Sequence, residues 1–446
     1  MSSENSQNKI AVLKPAPRII SRENHNISRA NISDSALKVL NRLSNAGFQA
    51  YLVGGSVRDL LLGREPKDFD VATSAHPEQI RELFRNSRII GRRFRLVHIH
   101  YGRGREQEVI EVSTFRASHV DGANKAGESV EGRIIRDNVY GSIDDDVWRR
   151  DLSVNALFYN IKDFSVVDYV GGMEDILAGR IRMVGNPAER YVEDPVRMLR
   201  AVRFAVKLGF RIEAATEEPI QKQAHLLREI PPARLFEETL KLFLSGYAVQ
   251  TFEQLRHYGL FAELFPQTEA VLATQEGGFP HTLLIHALEN TDKRLAENKP
   301  VTPGFILAAL LWEPLQELAR DYIAQGQNEH EAFKLAADVV ISRQIARTAM
   351  PRRFSQFARD VWQLQPRFPR RGGKRPQRLL SHPKFRAGYD FLMLRAEAGE
   401  DVGELVQWWT EFQEQHPELL AAARSHKSAH RGRHARNPRR PRKPRR

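Results

Sequence analysis

The sequence predicts an α+β head built on a small mixed sheet, then an all-α neck and body, then a disordered basic tail. Three observations predict this order. The stretch Tyr51–Thr73 reads as a short apolar strand, two glycines, a helix with apolar residues at helical spacing, and a second strand. From Glu213 to Ala423 one helical pattern follows another, with no sharp internal repeat. From Arg424 to Arg446 there are eleven Lys or Arg and no acid. The expected divisions are a disordered arm (1–31), the head (32–180), a helical neck (181–265), a helical body (266–423) and the tail (424–446).

The chain has 446 residues, enough for several domains, and a net charge of +13. Subtracting the eleven basic residues of the tail leaves about +2 for everything else. Such a block cannot bury enough apolar surface to fold alone. It suits attraction to nucleic acid phosphates, with Arg439 and Arg440 among the expected RNA contacts. A solubilising role or an anionic membrane surface are the other readings. Cysteine is absent, which excludes disulfides, thiolate metal sites and cysteine nucleophiles and fits a cytoplasmic protein. No run of about 18 apolar residues predicts a transmembrane helix, and MSSENSQNKI has no apolar signal segment.

Ser33-Asp34 is placed to cap a helix over Ser35–Ala46, whose apolar positions share one broad face. After Tyr51-Leu52-Val53, the pair Gly54-Gly55 opens the helix Ser56–Leu62. A strand, a glycine turn and a helix start present free N–H groups to an anion. The next strand carries Asp68-Phe69-Asp70. Residues i and i+2 of a strand point the same way, so both carboxylates can share a hard cation. A phosphate cradle beside paired metal ligands is apparatus for nucleotidyl transfer. A helix over His76–Phe84 follows, then strands within Ile89–His100 and Val109–Arg116. Glu111 sits in an apolar setting and needs a partner. His119–Asn138 is glycine-rich and aperiodic, either a substrate loop or a surface insertion.

Further on, Arg149-Arg150 can neutralise phosphate oxygens, and Asp151 can cap a helix start. Gly171-Gly172 is a turn or a hinge. Asp194 and Pro195 predict the start of a helix bearing Arg197, Arg200 and Arg203 on one side. Patterns near Pro232–Phe243, Ala248–Tyr258 and Thr302–Leu318 predict helices of the all-α part. His281 and His286 lack accompanying acids and read as structural. Arg367, Arg370, Arg371, Lys374, Arg375 and Arg378 occur without an acid between them, near Trp362 and Phe368. Basic and aromatic residues together suit single-stranded RNA; a solvated charged face is the alternative.

The combination Gly54-Gly55-Ser56-Val57-Arg58-Asp59, then Asp68-Phe69-Asp70, resembles the nucleotidyltransferase core of the bacterial poly(A) polymerase and CCA-adding enzyme family. Arg149–Leu157 resembles that family's ribose- and phosphate-binding motif. Glu193–Arg200 resembles its base-selecting motif, and Ile89–His100 resembles the signature that separates the poly(A) polymerases from their CCA-adding relatives. With Asp360–Gln365 and His382–Ala387, the resemblance spans about Ala36 to Glu397.

The resemblance implies an α+β nucleotidyltransferase head. It implies Mg2+, with Mn2+ as an alternative, on Asp68 and Asp70. It makes Glu111 or Asp151 the third catalytic acid, Asp151 otherwise holding the ribose. It implies ATP contacts at Gly54, Gly55, Ser56, Arg58, Arg150, Asp194, Arg197 and Arg200, the pair Asp194 and Arg197 reading the base. It also makes Gly171-Gly172 a hinge. The expected activity is template-independent addition of adenylate to RNA 3′ ends from ATP, with RNA held by Arg370, Arg371, Lys374 and Arg375. CCA addition to tRNA is the competing activity. A non-catalytic RNA-binding protein is the competing class, and intact Asp68 and Asp70 argue against it.

Overall fold

The computed structural model describes residues 16–91, 95–102, 104, 107–117, 129–130, 133–134, 139–274 and 282–419. The expected loop over His119–Asn138, His281, the basic tail with Arg439 and Arg440, and Arg92-Arg93 fall wholly or mostly outside these residues. The chain divides into two compact units, Met1–Gln223 and Ala224–Arg446.

The first unit is built on an eight-stranded mixed sheet in the order β1-β10-β9-β2-β3-β6-β5-β4. In chain order its strands are β1 (Arg18–Ile20), β2 (Ala50–Val53), β3 (Asp70–Thr73), β4 (Ser87–Ile90), β5 (Leu96–Tyr101), β6 (Glu108–Thr114), β9 (Leu157–Asn160) and β10 (Val166–Asp168). A short hairpin, β7 (Ser129–Val130) and β8 (Arg133–Ile134), stands apart, as does the parallel pair β11 (Arg180–Ile181) and β12 (Arg211–Ile212). Within the large sheet β3 and β6 run parallel and every other pair is antiparallel.

The helices of this unit are α1 (Asp34–Asn45), α2 (Gly55–Leu61), α3 (Pro77–Leu83), α4 (Ile143–Arg149), α5 (Gly172–Leu177), α6 (Pro187–Glu193), α7 (Val196–Leu208) and α8 (Ala214–Gln223). The Ser33 hydroxyl accepts from Ala36 N–H at 3.1 Å, and Ala36, Val39, Leu40 and Leu43 of α1 are buried. Val53, Ala72, Phe115, Val147, Phe158 and Val184 form one core cluster.

Two expectations are corrected here. The arm was expected to stay mobile to residue 31, yet β1 pairs with β10 and Ile20 and Ile27 are buried. Three strand residues carry no periodicity to read, and their partner lies about 150 residues away in sequence. Asp68 was expected inside a strand, but β3 begins at Asp70 and Asp68 is exposed just before it.

The second unit is helical. Its helices include Pro232–Phe243 and Ala248–His257, as the periodicity predicts. The single pattern over Thr302–Leu318 is two helices, Pro303–Leu310 and Trp312–Ala324, broken at Leu311. Apolar residues continue through the break, so periodicity does not mark it. Trp362 and Phe368 are fully buried, the Trp362 indole donating to Ala308 C=O at 3.1 Å. They belong to the core and cannot stack on RNA. His286 pairs with Glu289 at 3.1 Å. No helix of the described residues is long and apolar enough to cross a membrane.

Candidate active site

The strand–glycine–helix turn forms as its residues dictate. Gly54 lies at φ 71° and ψ −132°, a region open to glycine and costly for other residues. A Cβ at Gly54 would lie 3.8 Å from Arg150 Nη1, so that guanidinium stands beside the turn. Ser56 is buried and donates its hydroxyl to Val53 C=O at 2.9 Å. Arg58, expected among the ATP contacts, is 2% exposed. Its guanidinium donates to Asn155 Oδ1 at 2.6 Å and to Asp59 Oδ1, and it lies over the Phe204 ring. It thus braces the turn from beneath, tying α2 to the Ser153–Asn155 turn and to α7.

Strand register assembles the acids. Val53 is opposite Asp70, Asp70 opposite Glu111, and Glu111 opposite His98. Directly paired residues project from the same face of a sheet. Asp70 and Glu111 are therefore neighbours on two parallel strands, with His98 next in the row. His98 Nε2 lies 3.1 Å from Glu111 Oε2. Glu111 is half-exposed rather than buried as its apolar flanks predict, and its partner is this imidazole. Burial, then the charge of Glu111, pushes the Asp70 carboxyl up to about 6; Asp68 adds to this, while Arg150 and His98 oppose it. Among the described residues no group of three or more acids or histidines is already gathered around one point. Two carboxylates with substrate phosphates are the usual protein share of a Mg2+ shell, and crowded anionic oxygens fit a hard cation. The residues present fit such an ion.

The loop after α4 carries the next parts. Arg150 donates to Asp146 Oδ2 at 2.9 Å and lies 4.6 Å over the Phe158 ring. It stands beside the Gly54 turn, and its charge pulls the Asp70 carboxyl downward. Asp151 accepts from Leu152 N–H and from Arg200 Nε. Burial alone would raise its carboxyl, but the Arg200 guanidinium outweighs burial and holds it far below the ordinary range. Arg200 is thus engaged by Asp151. Arg149 is brought down to about 9 by burial and by the nearby Arg116.

Helices α6 and α7 lock onto this loop. Arg190 donates to the carbonyls of Arg149 and Arg150, each at 2.9 Å. Glu193 accepts from Arg190 and, at 2.6 Å, from Arg197. Arg197 is 8% exposed and also donates to Arg190 C=O. Asp194 sits between α6 and α7, half-buried, and its carbonyl accepts from Arg197 N–H at 3.0 Å. Helix α7 begins at Val196, one residue after the expected Pro195. One side chain, Glu193, thus orients two arginines.

The glycine pair forms a hydrogen-bonded corner in this unit. Asp168 accepts from the N–H groups of Val170, Gly172 and Met173 at 3.0 Å each. A Cβ on Gly172 would fall 2.3 Å from Ser153 C=O. The fully buried Asp175 accepts from Ser153 and from Arg180 and Arg182. Arg190, Asp146 and Asp175 went unremarked in the sequence because their value lies in partners 3 to 41 positions distant. The spacing Arg190-x-x-Glu193-x-x-x-Arg197 was their one local signal. In the second unit, Arg370, Arg371, Lys374 and Arg375 are all exposed.

A mixed sheet that carries a glycine turn, an arginine and a row of acids defines a nucleotidyltransferase head. A solved Bacillus stearothermophilus CCA-adding enzyme in complex with CTP superposes with a TM-score of 0.55 at 26% identity, over 86% of this chain and 82% of that one. Another CCA-adding enzyme, in an apo form, shares the fold at a TM-score of 0.59 and 19% identity, over 87% of this chain and 85% of that one. The family described as "Poly A polymerase head domain" matches residues 50–182. "Probable RNA and SrmB- binding site of polymerase A" matches 209–272, and "Polymerase A arginine-rich C-terminus" matches 325–446. Poly(A) polymerase I of Escherichia coli O6:H1 is 51% identical over 93% of this chain and 89% of its own length. That of Haemophilus influenzae is 47% identical over 89% and 88%. A CCA-adding enzyme of Lactobacillus helveticus is 39% identical, over 49% of this chain and 52% of its own. The chain belongs to the poly(A) polymerase family.

Proposed function

We propose that this polynucleotide adenylyltransferase extends RNA 3′ ends from ATP at the surface between the Gly54 turn and the Asp70–Glu111 row. One observation carries the placement: Arg150 stands beside Gly54 and acts on Asp70, so one cation serves the phosphate cradle and the acids. The turn N–H groups at Gly54 and Gly55 receive phosphate oxygens, and Arg150 neutralises them. A divalent cation on Asp68 and Asp70, Mg2+ by the hardness of its ligands, supplies activation of the 3′ hydroxyl and charge neutralisation at the α-phosphate. Glu111, steadied by His98, keeps Asp70 crowded and receptive to that cation. Asp151 and Arg200 hold each other at the sugar–phosphate end. Glu193 aims Arg197, and with Asp194 it presents donors and an acceptor to the adenine edge. Arg58 and Ser56 act by holding the turn. The exposed Arg370, Arg371, Lys374 and Arg375, with the tail through Arg439 and Arg440, take the RNA backbone. The setting is the cytoplasm, where ATP and RNA ends meet a cysteine-free chain.

The test is primer extension with each of the four nucleotides separately and Mg2+ present. Long tails from ATP alone are expected. Addition limited to CTP and then a single ATP would replace this reading with CCA addition.

A further inference from the structure

The helix Gly403–Gln415 carries two adjacent tryptophans with opposite fates. Trp409 is fully buried, and its indole donates to Phe368 C=O at 3.0 Å. That bond fixes the start of the acid-free segment Arg367–Arg378 against this helix. Trp408 is only partly buried, and so are Phe412 and His416, four and eight positions on. The Trp408 and Phe412 rings stack at 4.9 Å with 13° between their planes, and Phe412 meets the His416 ring at 4.5 Å. The exposed Arg371 guanidinium lies 5.7 Å above Trp408. The result is a ladder, Arg–Trp–Phe–His, at the margin of the core, with Trp408 and Phe412 packed against the buried cluster on one side and partly open on the other.

We propose that this ladder is a base-stacking platform for single-stranded, adenylate-rich RNA. The proposal rests on the polyadenylation reading for its choice of base. A partly open aromatic stripe with Arg371 over it, in a segment that also exposes Arg370, Lys374 and Arg375, matches a ligand with flat apolar faces and a negative backbone. The same cations disfavour a second copy of this face, which would bring like charges together. At 5.7 Å Arg371 is too loosely placed to close the top of the stack. An adenine can take the upper face of Trp408 while Arg371 moves to the adjoining phosphate. Purines stack more strongly than pyrimidines, so the platform retains a growing adenylate tail better than a uridylate one.

The test uses the full chain and fluorescently labelled twelve-residue oligoadenylate and oligouridylate, titrated across a salt series. Trp408→Ala is expected to weaken oligoadenylate binding about tenfold, with the salt slope unchanged and the preference over oligouridylate reduced. Trp408→Phe is expected to restore most of the loss, which separates stacking from folding. Arg371→Ala is expected to lower the slope by about 0.7, the share of one phosphate on a single strand. Equal oligoadenylate affinity for wild type and Trp408→Ala would overturn the proposal, as would an equal loss for both oligonucleotides. A change of oligomeric state in Trp408→Ala with unchanged RNA affinity would assign the face to self-association and also overturn it. Failure of ATP incorporation by the wild type on any primer concerns the polyadenylation reading and leaves these binding measurements intact.

Discussion

Replacing Asp70 by Asn separates what the acid row costs the fold from what it gives the reaction. The Asp70 carboxyl sits at about 6 against an ordinary 3.8, so its ionised form is disfavoured in the folded protein by about 3 kcal/mol. The folded state holds this proton more tightly than the unfolded one. Stability from this group is therefore full below about pH 4 and falls as pH rises toward 6, staying low above that. Asp70→Asn removes the charge with little change of shape. In EDTA the variant is expected to be more stable than wild type by up to about 3 kcal/mol at pH 7.5. The advantage should shrink to about 1.5 kcal/mol at pH 5 and vanish below about pH 4. Urea unfolding across that pH range measures it. Mg2+ should stabilise the wild type at pH 7.5 and not the variant, and the variant should lose primer extension. A variant less stable than wild type at every pH would show that Asp70 is held by favourable bonds rather than disfavoured by burial and by Glu111 and Asp68.

Arg197→Ala should lower the ATP preference in kcat/KM among the four nucleotides more than it lowers RNA affinity. A uniform loss of rate would make Arg197 a support for Glu193 only. Deleting residues 424–446 should weaken RNA binding most at low salt and flatten the salt slope, leaving nucleotide choice intact; an unchanged slope would remove the tail from the RNA contacts. Gly172→Ala forces a methyl group to 2.3 Å from the Ser153 carbonyl, so a destabilisation of about 3 kcal/mol is expected in urea unfolding. A neutral result would mean that the Asp168 corner yields easily and works as a hinge.

The parts of the site that were legible in the sequence are those whose chemistry is local. Gly54-Gly55 at a strand end and Asp68-Phe69-Asp70 announce themselves because glycine turns and close-spaced acids have few other uses together. The pairing of Asp70 with Glu111 was only half visible. Each acid could be singled out, but their proximity depends on β3 lying parallel to β6, and no residue of either strand encodes its neighbour by itself. The arginines were visible as charges and not as partners. Arg58 and Arg150 read alike in sequence, yet Arg58 is buried against Asn155 and Phe204 while Arg150 pairs with Asp146 and stands beside the Gly54 turn. Which of these cations stays accessible is decided by tertiary burial, and composition is blind to it.

The same limit governs the aromatic residues, and it has a functional consequence. Near the basic segment, Trp362 and Phe368 seemed the natural stacking groups because they are closest in sequence. Both are core. The partly open rings come from a helix some forty residues later, joined to Phe368 by an indole hydrogen bond from Trp409. Burying Trp409 at the seam sets the helix rotation, and that rotation leaves Trp408 and Phe412 at the margin of the core, partly buried. A substitution that only loosens this anchor, such as Trp409→Phe, removes the hydrogen bond while keeping much of the ring packing. It should cost about 1 kcal/mol or more of stability by stranding the Phe368 carbonyl, and it should blur the Trp408 platform without touching it. Oligoadenylate affinity should then fall while the initial rate of adenylate addition at saturating primer holds. If affinity stays at the wild-type value, the rotation of this helix is set by the rest of its apolar face and not by the Trp409 bond.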